Sequence, residues 1–215
     1  DEMRKRNQPH WLYLVYGALA SDCAEKARDL DNVAAWQTFV EHNPLDKRAP
    51  AAHKGMIKTL MDAGFPSAIF PKKKEFVLRY GVYSEFWTHH SEAVRASYIE
   101  TLHAYLTELS QLAHAEAQTY AGIDAGGTRA KGWHETEQRQ LYLRAAEWYE
   151  QLIVTFPEDP RTAEFLFLLG ESYTEAVEFG RAVAAYQKVV HEFPDFNRAH
   201  EAGYAAILAL RKLVS

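Results

Sequence analysis

The sequence predicts an all-α protein in which helix pairs follow one another along the chain. One observation is a helical pattern of five apolar residues, separated by steps of 3, 4, 3 and 4 positions and followed by a proline. The other observation is that this pattern recurs after 37 positions. The first copy is Tyr142, Ala145, Tyr149, Leu152, Phe156 and Pro157, and the second is Phe179, Ala182, Tyr186, Val189, Phe193 and Pro194. Since a repeat of about this length holds one helix pair, we expect the pairs to stack in series.

Residues 1–80 are predicted to form degenerate versions of such helix pairs. The expected helices are Pro9 to Leu30, Val33 to His42, Pro50 to Asp62 and Phe65 to Tyr80. Gly64 is expected to end the third helix in a left-handed conformation, and Pro71 to kink or restart the fourth. Trp36 precedes Pro44 by eight positions, a spacing found in both copies of the pattern. The predicted core residues of this region are Ala35, Trp36, Phe39, Val40, Ala52, Met56, Leu60, Met61, Phe76, Val77 and Tyr80.

Residues 81–132 are predicted to link two repeat regions. Tyr83, Phe86 and Trp87 form an aromatic-rich link that we expect to be buried, the alternative being an exposed binding patch. One long bridging helix is expected from Ser91 to Tyr120. Its predicted apolar side is Tyr98, Leu102, Tyr105, Leu109 and Leu112. Residues 121–132 follow as a loop in which four of twelve residues are glycine.

Residues 133–215 resemble the tetratricopeptide repeat (TPR) family. When Ala163 is counted as the first position of a repeat, characteristic residues of the family fall at positions 8, 11, 20, 24 and 32. These residues are Gly170, Tyr173, Ala182, Tyr186 and Pro194, and the small Gly170 is expected to let a neighbouring helix approach closely. The chain departs from the family pattern at Leu166, where tryptophan is usual, and in its spacing of 37 rather than 34 residues. Helices expected from Trp133 to Phe156 and from Asn197 to Leu213 flank the one complete repeat.

The resemblance implies a right-handed superhelical stack of antiparallel helix pairs that binds other proteins. In the family, the first helix of each pair lines the concave face. The matching positions of this sequence hold Glu164, Phe167, Glu171, Thr174 and Glu175. Acidic side chains around one aromatic ring predict binding of a basic or amphipathic peptide. The Lys, Asn and Arg residues of the family's two-carboxylate clamp are absent from these positions, so a cochaperone of that type is not expected.

Charge and hydropathy narrow the classes of partner. The net charge is −5, and residues 133–178 contain ten acidic and three basic residues. An acidic face disfavours nucleic acid and favours basic protein segments, the alternative being an ordinary solvated helix surface. No run approaches the roughly 18 apolar residues that span a bilayer, so no transmembrane segment is expected. The apolar segment from Trp11 to Ala20 is interpreted as a packed helix rather than as a signal peptide.

No sequence motif predicts catalysis, a metal site or a cofactor site. The ten histidines include His89 and His90 and the pair His103 and His114, but none has the H-E-x-x-H spacing. G-x-S-x-G is absent, and residues 121–132 do not match a phosphate-binding loop. Cys23 is the only cysteine and is expected to be a buried, unreactive thiol. We therefore predict a non-enzymatic protein without catalytic residues, metal or cofactor.

The connections between the repeats carry a further resemblance. Their F-P-x-x form, as in residues 156–159, is similar to that of bacterial envelope TPR proteins such as the lipoprotein of the outer-membrane barrel-assembly machine. This resemblance implies a periplasmic protein-interaction scaffold at or near the outer membrane, within a larger envelope assembly, with a cytoplasmic location as the alternative. The second hypothesis is an accessory domain of a machine for cell-surface polysaccharide synthesis or export. That hypothesis requires Tyr83, Phe86 and Trp87 to be exposed in a groove.

Overall fold

The computed structural model describes residues 9–26, 28–121 and 134–214, and these residues form eleven α-helices and no β-strand. The helices are α1 (Pro9–Glu25), α2 (Asp29–His42), α3 (Ala49–Asp62), α4 (Pro66–Tyr80), α5 (Glu85–His89), α6 (Glu92–Ala96), α7 (Ile99–Ala121), α8 (Glu135–Thr155), α9 (Thr162–Glu175), α10 (Phe179–Glu192) and α11 (Ala199–Leu213). The prediction of an all-α protein is confirmed. The chain divides into two compact units. The first unit is Asp1–Tyr105, and the second is Leu106–Ser215.

Consecutive helices pack on each other in the first unit, from α1 through α5. Asn32 Nδ2 of α2 donates a hydrogen bond to the Ala20 carbonyl oxygen of α1 at 2.7 Å, while Trp36 lies against Gly17. The residue number thus rises along α2 as it falls along α1, so these two helices are antiparallel. On its other side Asn32 accepts a hydrogen bond from Thr59 Oγ1 of α3 at 3.0 Å.

The first two helices differ from the prediction in their boundary. The sequence predicts a helix to Leu30 and a break at Asn32, whereas α1 ends at Glu25 and α2 begins at Asp29. A short polar side chain favours a break because it competes for backbone hydrogen bonds. Asn32 instead uses its amide to join α2 to its neighbours, and it lies buried inside the helix.

Of the two alternatives expected at Pro71, the restart is wrong, because α4 continues through this residue to its end, and the kink stays a prediction. The expected burial of two other residues is also wrong. Met61 and Leu112, both predicted in the core, are 54% and 45% exposed. Each lies at the edge of an apolar stripe, where a shift of one position along a helix turns the side chain by about 100°.

The bridging helix predicted from Ser91 to Tyr120 is interrupted. Ser97 and Tyr98 form a turn between α6 and α7. The Tyr98 ring is buried there, with its centroid 6.3 Å from that of Phe76 and 6.0 Å from that of Tyr80. Burying a large aromatic ring against two others stabilises the turn more than two further helical residues would.

Consecutive helices also pack on each other in the second unit, from α8 through α11. Gly170 of α9 confirms the predicted close approach, because a Cβ atom added there would stand 2.5 Å from the Tyr186 ring of α10. Arg181, near the start of α10, lies over the ring of Tyr173, near the end of α9, so these helices are antiparallel. The predicted apolar stripe is buried at Tyr142, Ala145, Tyr149, Leu152, Ala182, Tyr186 and Val189.

One kind of turn joins the first helix of a pair to the second in both units. It is closed by a backbone hydrogen bond from an N–H to the carbonyl oxygen five residues earlier. These bonds are Arg28 to Cys23 at 2.8 Å, Phe65 to Leu60 at 2.9 Å and Glu178 to Tyr173 at 2.8 Å. Just before the donor, Gly64 and Val177 have φ values of +74° and +65°. The predicted left-handed conformation of Gly64 is confirmed.

A second kind of turn joins one helix pair to the next. A proline stands two residues beyond the end of the preceding helix, and an arginine occupies the N-cap position of the following one. The three prolines are Pro44, Pro157 and Pro194, and the three arginines are Arg48, Arg161 and Arg198. Each guanidinium lies over an aromatic ring, at 4.9 Å for Tyr13, 5.0 Å for Phe165 and 3.6 Å for Phe167. The same turn therefore occurs in both units, as the spacing of Trp36 and Pro44 indicates.

Candidate functional site

The five predicted binding residues all lie on α9, but they differ in exposure. Glu164 and Glu175 are exposed, and Glu171 and Thr174 are half-buried. Phe167 is only 1% exposed. The prediction of an aromatic ring accessible to a partner is therefore wrong, whereas the acidic side chains are accessible.

Arg198 explains why Phe167 is buried. The guanidinium lies 3.6 Å from the centroid of the Phe167 ring. It is held there by Glu201, whose carboxylate accepts hydrogen bonds from Nε at 2.7 Å and from Nη2 at 2.8 Å. Nη2 also donates to Glu171 at 3.3 Å. Repeat spacing identifies Phe167 as a concave position but gives no information about an arginine that covers its ring.

A polar cleft of about 200 Å³ brings three of the five residues together. Glu171, Thr174 and Glu175 line it from one face of α9, since steps of three and four positions place side chains on the same side of a helix. The other lining residues are His114 and Gln118 of α7, Tyr142 of α8 and Tyr186 of α10. Glu164 and Phe167 do not line this cleft.

The hydrogen bonds of His114 assign its neutral tautomer. Ser172 Oγ donates its proton to the Leu168 carbonyl oxygen at 2.8 Å. The contact of 3.3 Å between Ser172 Oγ and His114 Nδ1 therefore has Nδ1 as the donor. Burial lowers the pKa of His114, which keeps the ring neutral at pH 7. Nε2, which has no hydrogen-bond partner among the described residues, is consequently an acceptor of a residue that lines the cleft.

Tyr142 has an unpartnered hydroxyl group beside the two carboxylates. The residue is 5% exposed and lines the cleft, and its hydroxyl makes no hydrogen bond with any residue that the structure describes. Burial, together with the negative charges of Glu175 and Glu171, raises the pKa of Tyr142 to about 12. Burial also raises the pKa of Glu171, an effect that Arg198 opposes. The cleft is thus lined by carboxylate, imidazole and phenol groups with unused acceptor capacity.

A mainly apolar groove of about 520 Å³ shares Thr174 with the polar cleft. Its other lining residues are Phe179 of α10 and Leu208, Ala209, Arg211 and Lys212 of α11. The exposed side of α11 adjoins this groove and carries large apolar side chains at Tyr204, Ile207 and Leu210. An acidic cleft therefore lies beside an apolar surface within one unit.

Of the acidic residues predicted from the sequence, Glu171 and Glu175 line the cleft and Glu164 does not, and the other walls of the cleft are not predicted. Tyr142 and Tyr186 are predicted as core residues, and both are buried, yet each also presents one side to the cleft. The sequence associates His114 with His103, whereas its partner is Ser172, 58 positions later. Periodicity within a helix identifies a face, but it does not show which residues of other helices meet that face.

The aromatic link predicted at residues 81–87 overlaps the start of the short helix α5. Phe86 is 2% exposed, and Trp87 is half-buried with the Arg95 guanidinium 4.9 Å from its centroid. Only Tyr83 of the three is largely exposed, at 72%. These residues do not form the exposed aromatic groove that saccharide binding requires.

The described ranges contain neither a metal-binding cluster nor a membrane-spanning helix. No group of three or more His, Cys, Asp or Glu side chains there is arranged to hold a metal ion. Cys23 is buried, as predicted. None of the described helices combines the length and apolar character needed to cross a membrane. The glycine-rich segment predicted as a loop lies almost entirely outside the described residues.

Comparisons with models of protein families and with curated proteins return no match to this chain.

Proposed function

We propose that this protein is a non-enzymatic scaffold that binds a basic, amphipathic segment of another protein on the face of α9. The helix pairs would form a TPR-like right-handed superhelical stack, with the first helix of each pair on the binding side. The observation that carries the proposal is the junction at Thr174, which lines both the acidic cleft and the apolar groove. An extended or helical peptide with a basic residue next to apolar residues matches both surfaces at once.

Charge supports a basic partner over an acidic one. Residues 133–178 carry seven more acidic than basic residues, counting ten acids against three bases. Glu164 and Glu175 are solvent-exposed and have no ion-pair partner among the described residues, so both remain available to a cation. A nucleic acid would meet like charge on this face.

The proposed setting is a bacterial envelope assembly, with the protein in the periplasm at or near the outer membrane. This setting rests on the resemblance of the repeat connections to those of envelope TPR proteins. The shared turn at residues 43–48, 156–161 and 193–198 supports a repeat that extends through both units.

A capture experiment with matched charge reversals tests the proposed function. Wild-type protein and the Glu164→Lys, Glu171→Lys variant are used to capture proteins from an envelope extract. The control variant is Glu147→Lys, Glu192→Lys, which makes the same charge change at exposed positions of α8 and α10. We expect the α9 variant to lose a protein that the wild type and the control retain. An identical set of captured proteins for all three would contradict binding at α9.

A further inference from the structure

We propose that the polar cleft on α9 binds the ε-ammonium group of a lysine side chain presented by the partner protein. This inference rests on the proposed function and assigns a chemical specificity to one part of the binding face. Its components are two carboxylates, Glu171 and Glu175, and one acceptor from each of two largely buried residues that line the cleft, His114 Nε2 and the Tyr142 hydroxyl oxygen, which have no partner among the described residues.

The first step is the excess of hydrogen-bond acceptors in the cleft. An ionised carboxylate only accepts hydrogen bonds, and the tautomer of His114 makes Nε2 an acceptor as well. Nε2 of His114 and the Tyr142 hydroxyl have no hydrogen-bond partner among the described residues, so both can accept a hydrogen bond from a ligand in the cleft. A ligand with several N–H groups and a positive charge supplies such donors.

The second step is the position of Arg198, which forms an ion pair with Glu171. Arg198 does not line the cleft, because its bidentate pair with Glu201 and the ring of Phe167 hold it at the outer side of Glu171. Its bond to Glu171 is also the longest of its ion-pair contacts, at 3.3 Å. One carboxylate oxygen of Glu171 therefore remains available to a ligand, as do both oxygens of Glu175 apart from a contact of 3.5 Å with Gln138.

The third step is the choice between ammonium and guanidinium. The acceptors are contributed by three helices, α7, α8 and α9, rather than by one flat surface of a single helix. An ammonium group directs three N–H bonds in different directions, whereas a guanidinium directs its donors within a plane. The rings of Tyr142 and Tyr186 add aromatic surface that attracts a cation. A volume of about 200 Å³ suits one long side chain and is too small for a folded segment.

Titration with a small probe tests this inference without requiring the natural partner. Nα-acetyl-lysine methylamide is added to the full chain, and the NMR signals of His114 and Tyr142 are followed. The comparison probes are the Nε-acetylated lysine analogue, the norleucine analogue, which lacks the amine, and cadaverine, a free diamine. We expect saturable shifts with the lysine probe and none with the acetylated or norleucine analogue.

Variants of the cleft give the quantitative part of the test. Glu171→Gln, Glu175→Gln is expected to weaken binding of the lysine probe at least about tenfold, since hydrogen bonds to charged groups are lost. Glutamine retains the shape of glutamate and can still accept a hydrogen bond from Arg198. Glu147→Gln, an exposed change on α8, is the control and should bind as the wild type does. Tyr142→Phe, which removes only the hydroxyl, is expected to weaken binding about threefold.

Several results would overturn the lysine assignment. They are equal binding of the norleucine analogue, undiminished binding by the double variant, and tighter binding of cadaverine than of the lysine probe, which would identify a free polyamine as the ligand. The scaffold proposal fails separately, if the lysine probe binds but no protein is captured at α9. Conversely, a captured partner that binds equally well after acetylation of its lysines contradicts the lysine assignment alone.

Discussion

The two units each bury a histidine among aromatic rings, but the surroundings of the two histidines differ. His53 of α3 is fully buried between Phe76 and Tyr80, with centroid distances of 5.4 and 5.7 Å, and neither ring nitrogen has a hydrogen-bond partner. His114 of α7 donates to Ser172 from Nδ1, leaves Nε2 without a partner among the described residues, and lines a cleft. Similar packing of an imidazole therefore yields a closed core in one unit and an accessible acceptor in the other.

The largest predicted effect concerns the closed core of the first unit. Burial lowers the pKa of His53 to about 4 from an unfolded value of 6.5. Because the unfolded chain binds the proton more readily, stability is complete above pH 6.5 and falls as the pH approaches 4. The loss reaches about 3 kcal/mol at pH 4. Hydrogen exchange of α3 amides measures this loss, and α9 amides provide the comparison within the second unit.

The variant that isolates this effect is His53→Phe. Phenylalanine retains an aromatic ring but cannot be protonated, so the loss between pH 6.5 and 4 should disappear from α3. The pKa of Glu75 is lowered by a hydrogen bond from Lys72 and by nearby charges despite the opposing effect of burial, so its contribution to stability is present above pH 4.5 and is lost as the pH falls through its lower folded pKa. An unchanged loss in His53→Phe would show that another group causes it.

The next effect compares two glycines that face aromatic rings. Gly170→Ala should reduce the free energy of unfolding by about 2 kcal/mol, because the new methyl group would stand 2.5 Å from the Tyr186 ring. Gly55→Ala in the first unit meets Trp36 at 3.5 Å, an ordinary contact, and alanine favours a helix over glycine. Urea denaturation should therefore show no destabilisation for Gly55→Ala. An equal loss of unfolding free energy in both variants would contradict the predicted difference between the two glycines.

A smaller effect is expected at the equivalent turns after α3 and α9. Gly64 and Val177 both have positive φ, which a β-branched residue adopts only with strain. Val177→Gly should raise the stability of the second unit by about 1 kcal/mol, after allowance for the backbone entropy of glycine. Gly64→Val should lower that of the first unit by a similar amount. Thermal unfolding of both variants tests whether the two changes in stability have opposite signs.

The smallest stability effect is expected for the hydroxyl of Tyr142. Tyr80 of the first unit has a buried hydroxyl without a partner, so Tyr80→Phe should stabilise the protein by about 1 kcal/mol. The hydroxyl of Tyr142 faces the cleft, and Tyr142→Phe should change stability by less than about 0.5 kcal/mol. Urea unfolding of both variants tests this difference. A large loss in Tyr142→Phe would mean that its hydroxyl has a structural role.

Much of the fold could be predicted because helical periodicity and repeat spacing are local properties of the sequence. The buried stripe of α8 and α10, the approach of α10 to Gly170 and the left-handed Gly64 all follow from such patterns. The turn at Tyr98 could not be predicted, since it depends on burial of one ring against Phe76 and Tyr80 of another helix. The start of α2 could not be predicted either, because the Asn32 side chain forms its hydrogen bonds with residues of α1 and α3.

Only the residues of the candidate site that lie on α9 could be predicted from the sequence. Repeat positions identify Glu171, Thr174 and Glu175, which the structure places around one cleft. The burial of Phe167 depends on Arg198, and the acceptor role of His114 depends on Ser172, so both require the packing of separate helices. A sequence signal for the arginine does exist, since it follows proline by four positions in all three turns between helix pairs.

A reciprocal charge exchange tests the central claim that the α9 cleft binds a basic residue of a partner protein. The partner segment is identified by capture, and its affinity is measured by calorimetry for wild-type protein, for Glu175→Lys, and for Glu175→Lys with the contacting lysine of the segment changed to glutamate. We predict at least about a tenfold loss for the single change and recovery of most of that loss for the exchanged pair. Unchanged affinity for Glu175→Lys, or no recovery with any lysine of the segment exchanged, would contradict the claim.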